Sequence, residues 1–259
     1  MLLCLNGQNN KKIKLGVNTL RDYHSKCLPL FSFLTKRIFF NIIHAMVERG
    51  KWIDFEGVGG SGKSTQIKFT HSALDAQGIP VVSTREPGGI PEAESIRELV
   101  FHLKHEGAVN ADHQVAFFFA ARHLSIPKAI FTPLRNGINV LSDRSYPSTA
   151  AYQGYGEHAN LSAIEQIANI VVNESRPNGV ILLDISLDTS IKRLNLGGTN
   201  GDPYDDEKVE YFERVITGYR QMAEDHWGNL NWYIINGEQP AGLVAKEVQT
   251  VVRKILSGK

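Results

Sequence analysis

The sequence predicts an α/β fold of three layers, α/β/α, built on a five-stranded parallel sheet. Three observations point there. Short, near-continuous apolar runs recur from Lys51 onward, the pattern of strands covered on both faces. Stretches of helix length separate these runs, and repeated β-then-α segments imply a parallel sheet with helices on both sides. A glycine-rich turn joins the first apolar run to the first helical stretch.

The elements follow in order. Trp52–Glu56 is the first strand-like run, and Ser64–Ala76 reads as the helix after the glycine-rich turn. Ile79–Thr84 is the second run. A helical stretch carries Phe117, Phe118 and Phe119. These point about 100° apart on a helix, so some of them face the core. Gly137–Ser142, Val180–Asp184 and Trp232–Asn236 complete the sheet. Gly197–Asp206, dense in Gly, Asn, Asp and Pro, reads as a flexible loop and a short lid.

Composition excludes several classes. The 259 residues are 42% apolar and 21% charged, ordinary values for a globular chain. A formal net charge of +1 gives no electrostatic mark of a nucleic-acid binder. Cys4 and Cys27 are the two cysteines, so the rest of the chain has no disulfide framework and no cysteine-based zinc site. That suits a reducing, cytoplasmic setting. Residues 1–45 carry seven Lys/Arg against Asp22, a charge of +6, which leaves −5 for the remainder. Leu28–Ile43 is apolar but broken by Lys36 and Arg37, too short and too charged to cross a membrane. Residues 1–45 read either as an organellar targeting segment or as sequence upstream of a true start at Met46. The folded domain is expected over 46–259.

Gly57-Val58-Gly59-Gly60-Ser61-Gly62-Lys63-Ser64 fits G-x-x-x-x-G-K-[ST]. Glycines let successive backbone N–H groups turn inward onto phosphate oxygens. The helix that follows, with Thr65 in its first turn, adds its positive end to the same anion. The Lys63 ammonium reaches the outer phosphates, and the Ser64 hydroxyl suits Mg²⁺. An incidental glycine turn is the rival reading. The order strand, loop, helix disfavours it and makes this a P-loop NTPase fold that takes ATP and Mg²⁺. The motif alone does not separate GTPases, ATPases and small-molecule kinases.

Four further segments give a resemblance to the thymidylate kinase family, in that family's order. Thr84-Arg85-Glu86-Pro87-Gly88-Gly89 resembles its Arg-Glu-Pro-Gly-Gly turn, which lines the nucleoside monophosphate pocket. Phe118-Phe119-Ala120-Ala121-Arg122 resembles the segment in which a phenylalanine stacks on thymine and an arginine bonds a base carbonyl. Phe118 and Arg122, four apart, share a helix face. Asp143-Arg144-Ser145 and Ser148–Gly154 resemble the next segment. There the resemblance gives Arg144 the acceptor's 5′-phosphate, brings Thr149 and Gln153 to the base, and sets Tyr152 against the sugar. Leu183-Asp184-Ile185 with Ile191-Lys192-Arg193 resembles the strand and helix before the lid, and the resemblance gives Arg193 the charge of the transferring phosphoryl.

The resemblance implies a dTMP kinase that binds ATP and dTMP, acts as a homodimer, and uses neither nucleic acid nor membrane. Two alternatives stay open: a deoxynucleoside kinase, and a nucleotide-binding protein with weak or lost activity. Three departures feed the second alternative. Gly59 stands where the family usually has an acid, and Glu56 is expected to point elsewhere. Asn195 and Gly197 stand where lid arginines are common, and Asp202-Pro203 replaces an Asp-Arg pair.

Overall fold

The computed structural model describes residues 48–172, 176–197 and 209–258, with side chains through Leu194 in the middle segment. The expectations for residues 1–45, for Asn195, Gly197 and Asp202-Pro203, and for the 198–206 part of the loop lie outside what is described.

Five strands form one parallel sheet in the order β2-β3-β1-β4-β5: β1 (Trp52–Glu56), β2 (Val81–Arg85), β3 (Asn139–Asp143), β4 (Gly179–Asp184) and β5 (Trp232–Asn236). The helices are α1 (Lys63–Asp75), α2 (Pro91–His105), α3 (Ala111–Ser125), α4 (Leu161–Val172), α5 (Leu187–Gly197), α6 (Val209–Glu224) and α7 (Ala241–Ser257). Shorter helical turns at Ile126–Phe131, Thr132–Arg135, Tyr146–Thr149 and Ala150–Gly156 join the larger pieces.

Two strands begin later than their apolar runs suggest. Pro80 has no N–H for a ladder, so β2 opens at Val81, while the Pro80 carbonyl accepts from Asn139. Gly137 turns the chain with φ 74°, so β3 opens at Asn139.

The period-2 alternation of the strands splits the core in two. Ile53, Phe55, Leu141, Ile181 and Leu183 pack under Ile67 and Leu74 of α1 and Val244, Val248 and Val252 of α7. Trp52, Val140, Val180 and Leu182 face the other way, against Val115 and Phe119 of α3, Ile164 and Ala168 of α4, and Val215 and Tyr219 of α6. Asp54 and Glu56 share the parity of Trp52, so both carboxylates point into this second layer. The carboxyl ends of all five strands meet at one edge of the sheet, where parallel sheets hold ligands.

Candidate active site

The loop after β1 is a concave cradle. Gly57 sits at φ 139°, and a Cβ there would lie 2.7 Å from the Leu183 carbonyl oxygen, so only glycine fits. Gly62 caps α1 at φ 96°, and no acid stands in the first turn to offset the helix's positive end. Lys63 is buried; its Nζ donates to the carbonyls of Gly57 (2.9 Å) and Val58 (3.0 Å). The cavity over this loop is lined by Gly60 through Gln66, by Arg193, and by the Gly237–Ala241 turn after β5. Arg193 reaches the loop from α5, donating to the Gly60 carbonyl at 3.2 Å. Ser190 donates to the Gly59 carbonyl at 2.7 Å.

A second cavity lies across β1. Pro87, Phe118, Arg122, Arg144, Thr149, Tyr152 and Gln153 line it together. Phe118 meets Phe101 of α2 edge-on, with centroids 6.5 Å apart. Arg122 is almost wholly buried and donates to Thr149 Oγ1 at 2.7 Å and to the Ser145 carbonyl at 2.8 Å. Tyr152 and Gln153 come from the Ala150–Gly156 turn, a π-helical segment of the kind that recurs at functional sites.

Arg144 lines the second cavity and reaches back to the loop after β1. It adopts φ 72°, a left-handed conformation that costs a non-glycine residue free energy and marks functional sites. Its Nη1 donates to the Gly57 carbonyl at 3.1 Å, the same oxygen that Lys63 Nζ holds at 2.9 Å. The two cationic nitrogens are therefore within about 6 Å of each other. Arg144 also donates to Ser148 Oγ and to the Tyr219 and Tyr152 hydroxyls. Burial works against its charge, but the facing Tyr152 and Tyr219 hydroxyls, Glu56 and Asp143 outweigh it and hold the proton more tightly than usual.

Behind these side chains is a layer of buried acids. Glu56 is fully buried and accepts from the Ser145 and Ser148 backbone N–H groups, from Ser148 Oγ and from the Tyr219 hydroxyl. Its Oε2 stands 4.0 Å from Arg144 Nη1. The expectation that Glu56 points elsewhere is thus corrected: its parity in β1 turns it under Arg144. Asp54 is bonded by the Ser142 and Ser145 hydroxyls, and burial, with Glu56 adding to it, raises its pKa far above the usual carboxylate range. Burial likewise pushes Glu86 up to about 7, against the pull of Arg122 and the Ser125 hydroxyl.

Three residues expected at the acceptor pocket stand outside its lining. Arg85 forms a two-pronged pair with Glu94 (2.8 and 2.6 Å) and faces a separate cavity. Its side chain follows the last position of β2, which an edge strand leaves open. Glu86 lies behind Arg122, at 3.5 Å from its Nε, and is covered from the cavity. Asp143 accepts from Ser64 Oγ at 2.9 Å and borders the same cavity as Arg85. Ser64 and Asp143 together set a hydroxyl and a carboxylate at the mouth of the loop, an oxygen donor set that fits Mg²⁺.

A family model described as thymidylate kinase matches residues 55–248. The chain belongs to the thymidylate kinase family. Its relatives include the thymidylate kinase of Methylobacillus flagellatus, 34% identical over 206 residues, which are 80% of this chain and 98% of that one. That of Teredinibacter turnerae is 35% identical over 80% of this chain and 99% of its own length. That of Pelotomaculum thermopropionicum is 37% identical over 80% and 95%. As a member of the thymidylate kinase family the chain is a nucleotide-binding phosphotransferase.

The sequence pattern left Arg97, Phe101 and Tyr219 unmarked, and gave Ser148 a place in a segment but no role. Arg97 and Phe101, one helical turn apart on α2, stack at 4.5 Å and line the second cavity. Their i, i+4 spacing was a usable signal. Tyr219 had none, since it reaches Glu56 from 163 residues away.

Proposed function

We propose that the chain transfers the terminal phosphoryl group of ATP to the 5′-phosphate of dTMP, giving ADP and dTDP. One observation carries this reading: Lys63 from one cavity and Arg144 from the other donate to the same Gly57 oxygen. Two cations held within about 6 Å of each other suit a single phosphoryl group in transit between two nucleotides.

In this reading ATP lies over Gly57–Thr65 with its outer phosphates at Lys63. Lys63 exchanges the Gly57 and Val58 carbonyls for phosphate oxygens. Arg144 exchanges the Gly57 carbonyl for the acceptor phosphate, and its planar fork suits that anion. Phe118 offers its face to the base, Arg122 offers donors to a base carbonyl, and Tyr152 stands beside the sugar. An acceptor phosphate oxygen attacks the γ-phosphorus in line, the bond to the β,γ-bridging oxygen breaks, and that oxygen leaves with ADP. The attacking oxygen is already anionic, so no general base is needed. Catalysis is positioning plus charge neutralisation. Mg²⁺ would be held by Ser64 and Asp143 and would neutralise phosphate charge there. Arg193 would supply further positive charge at the γ-phosphate. The assembly we propose is a cytoplasmic homodimer; no helix among the described residues is long and apolar enough to cross a membrane.

The test is ADP release over a panel of nucleoside monophosphates. dTMP should give the highest kcat/KM, and thymidine should not serve as acceptor. Lys63→Ala should lower kcat by at least about 10³ with the circular dichroism spectrum unchanged. Wild type that binds both nucleotides without releasing ADP would instead support a binding protein.

A further inference from the structure

A chain of polar side chains runs from the surface to the base end of the second cavity. Lys104 Nζ of α2 donates to Glu157 Oε1 at 2.9 Å. Gln114 Nε2 of α3 donates to Glu157 Oε2 at 2.7 Å. Gln153 Nε2 donates to Gln114 Oε1 at 3.2 Å. Gln114 and Gln153 are each only 1% exposed, so a mispaired amide here would have no water to correct it.

The direction of this chain is dictated by chemistry. Lysine only donates, and a carboxylate paired with it only accepts. Glu157 must therefore take the NH₂ end of Gln114. That turns the Gln114 carbonyl toward Gln153 and draws the NH₂ end of Gln153, through one of its two hydrogens, to that carbonyl. The Gln153 amide is left with its carbonyl oxygen as the end turned away from Gln114. Gln153 lines the cavity beside Arg122 and Thr149.

We infer that Glu157, acting through Gln114, is a positioning residue that fixes the Gln153 amide as a hydrogen-bond acceptor for the substrate's base. The inference rests on the reading that this cavity takes a pyrimidine monophosphate. A carbonyl acceptor matches thymine or uracil, whose N3 carries a hydrogen. It opposes cytosine, whose N3 is a bare acceptor. Arg122, a donor only, adds the same preference: it suits the O4 carbonyl and opposes the N4 amino group.

The experiment compares kcat/KM for dTMP and dCMP in wild type, Glu157→Gln and Gln114→Met. A glutamine at 157 presents either end of its amide, so the lock is lost with little change in shape. Methionine at 114 cuts the chain one step later. Each variant should lower the dTMP-over-dCMP ratio at least tenfold, with the KM for ATP unchanged. Glu157→Asp, which restores a pure acceptor, should recover part of the ratio. Equilibrium binding of dTMP and dCMP gives the same ratio should turnover be slow. Equal losses on both nucleotides, or an unchanged ratio in both variants, would overturn the relay alone. Wild type that neither binds nor phosphorylates dTMP would overturn the acceptor reading beneath it.

Discussion

Glu86 shows how a motif residue acts from behind the site. Its carboxylate is buried, it accepts from Ser125 Oγ at 2.8 Å, and its contact with Arg122 Nε is an ion pair at 3.5 Å without a well-formed hydrogen bond. So loose a partner does not repay desolvation, and the pKa rises to about 7. A carboxyl raised in the folded state binds more protons there than in the unfolded chain. Its contribution is therefore intact below the unfolded value near 4.5 and is lost as pH climbs to 7. The loss is on the order of 3 kcal/mol for a fully buried group. Glu86→Gln should flatten the fall in stability between pH 5 and 7.5, read from urea midpoints at the two pH values. Asp54, raised in the same direction, should leave a residual slope. A slope unchanged from wild type would mean that Glu86 is ionised throughout.

At the scale of elements, legibility tracked locality. The cradle, its strand and its helix were readable because one stretch of chain holds all three, and the strands were readable because both sheet faces are covered. Phe118 and Arg122 were readable together because one helix turn joins them. What failed was long-range. The direction of Glu56 depends on which sheet face carries α3 and α6, and no local pattern states that. Arg85 sits at the end of an edge strand and found Glu94 instead of the pocket. Gly59 gains a physical context from α5: a Cβ there would lie 3.3 Å from Leu194, Ser190 bonds the Gly59 carbonyl, and Arg193 bonds that of Gly60. The helix thus covers the loop where the family usually has an acid. Replacing Gly59 by Asp requires the Leu194 side chain to give way by a few tenths of an ångström. Arg193 is the cation that α5 delivers to this loop among the described residues. Arg193→Met should therefore lower kcat by about 10² or more while leaving the KM for dTMP within about twofold, because positive charge at the transferring group acts chiefly in the transition state. A change confined to the KM for ATP would reduce Arg193 to a ground-state contact.

For the folded unit as a whole, the two cavities open on either side of β1, and one cation from the lining of each donates to the Gly57 carbonyl oxygen. Each nucleotide should therefore stabilise the protein on its own, because each binds the folded state alone. At 100 times its Kd a ligand adds about 2.7 kcal/mol. For a chain of this size about 1 kcal/mol moves Tm by 2–4 °C, so each shift should be several degrees. The variants separate the halves. Lys63→Ala should lose the ATP shift and keep that of dTMP. Arg144→Met should lose the dTMP shift and keep that of ATP. In wild type the two shifts together should exceed their sum when the non-hydrolysable analogue of ATP is used with dTMP. The first ligand draws one cation off the Gly57 oxygen, and the second then finds that oxygen already released. A variant pair in which either substitution abolishes both shifts would mean one merged cavity, and the division into donor and acceptor halves would fall.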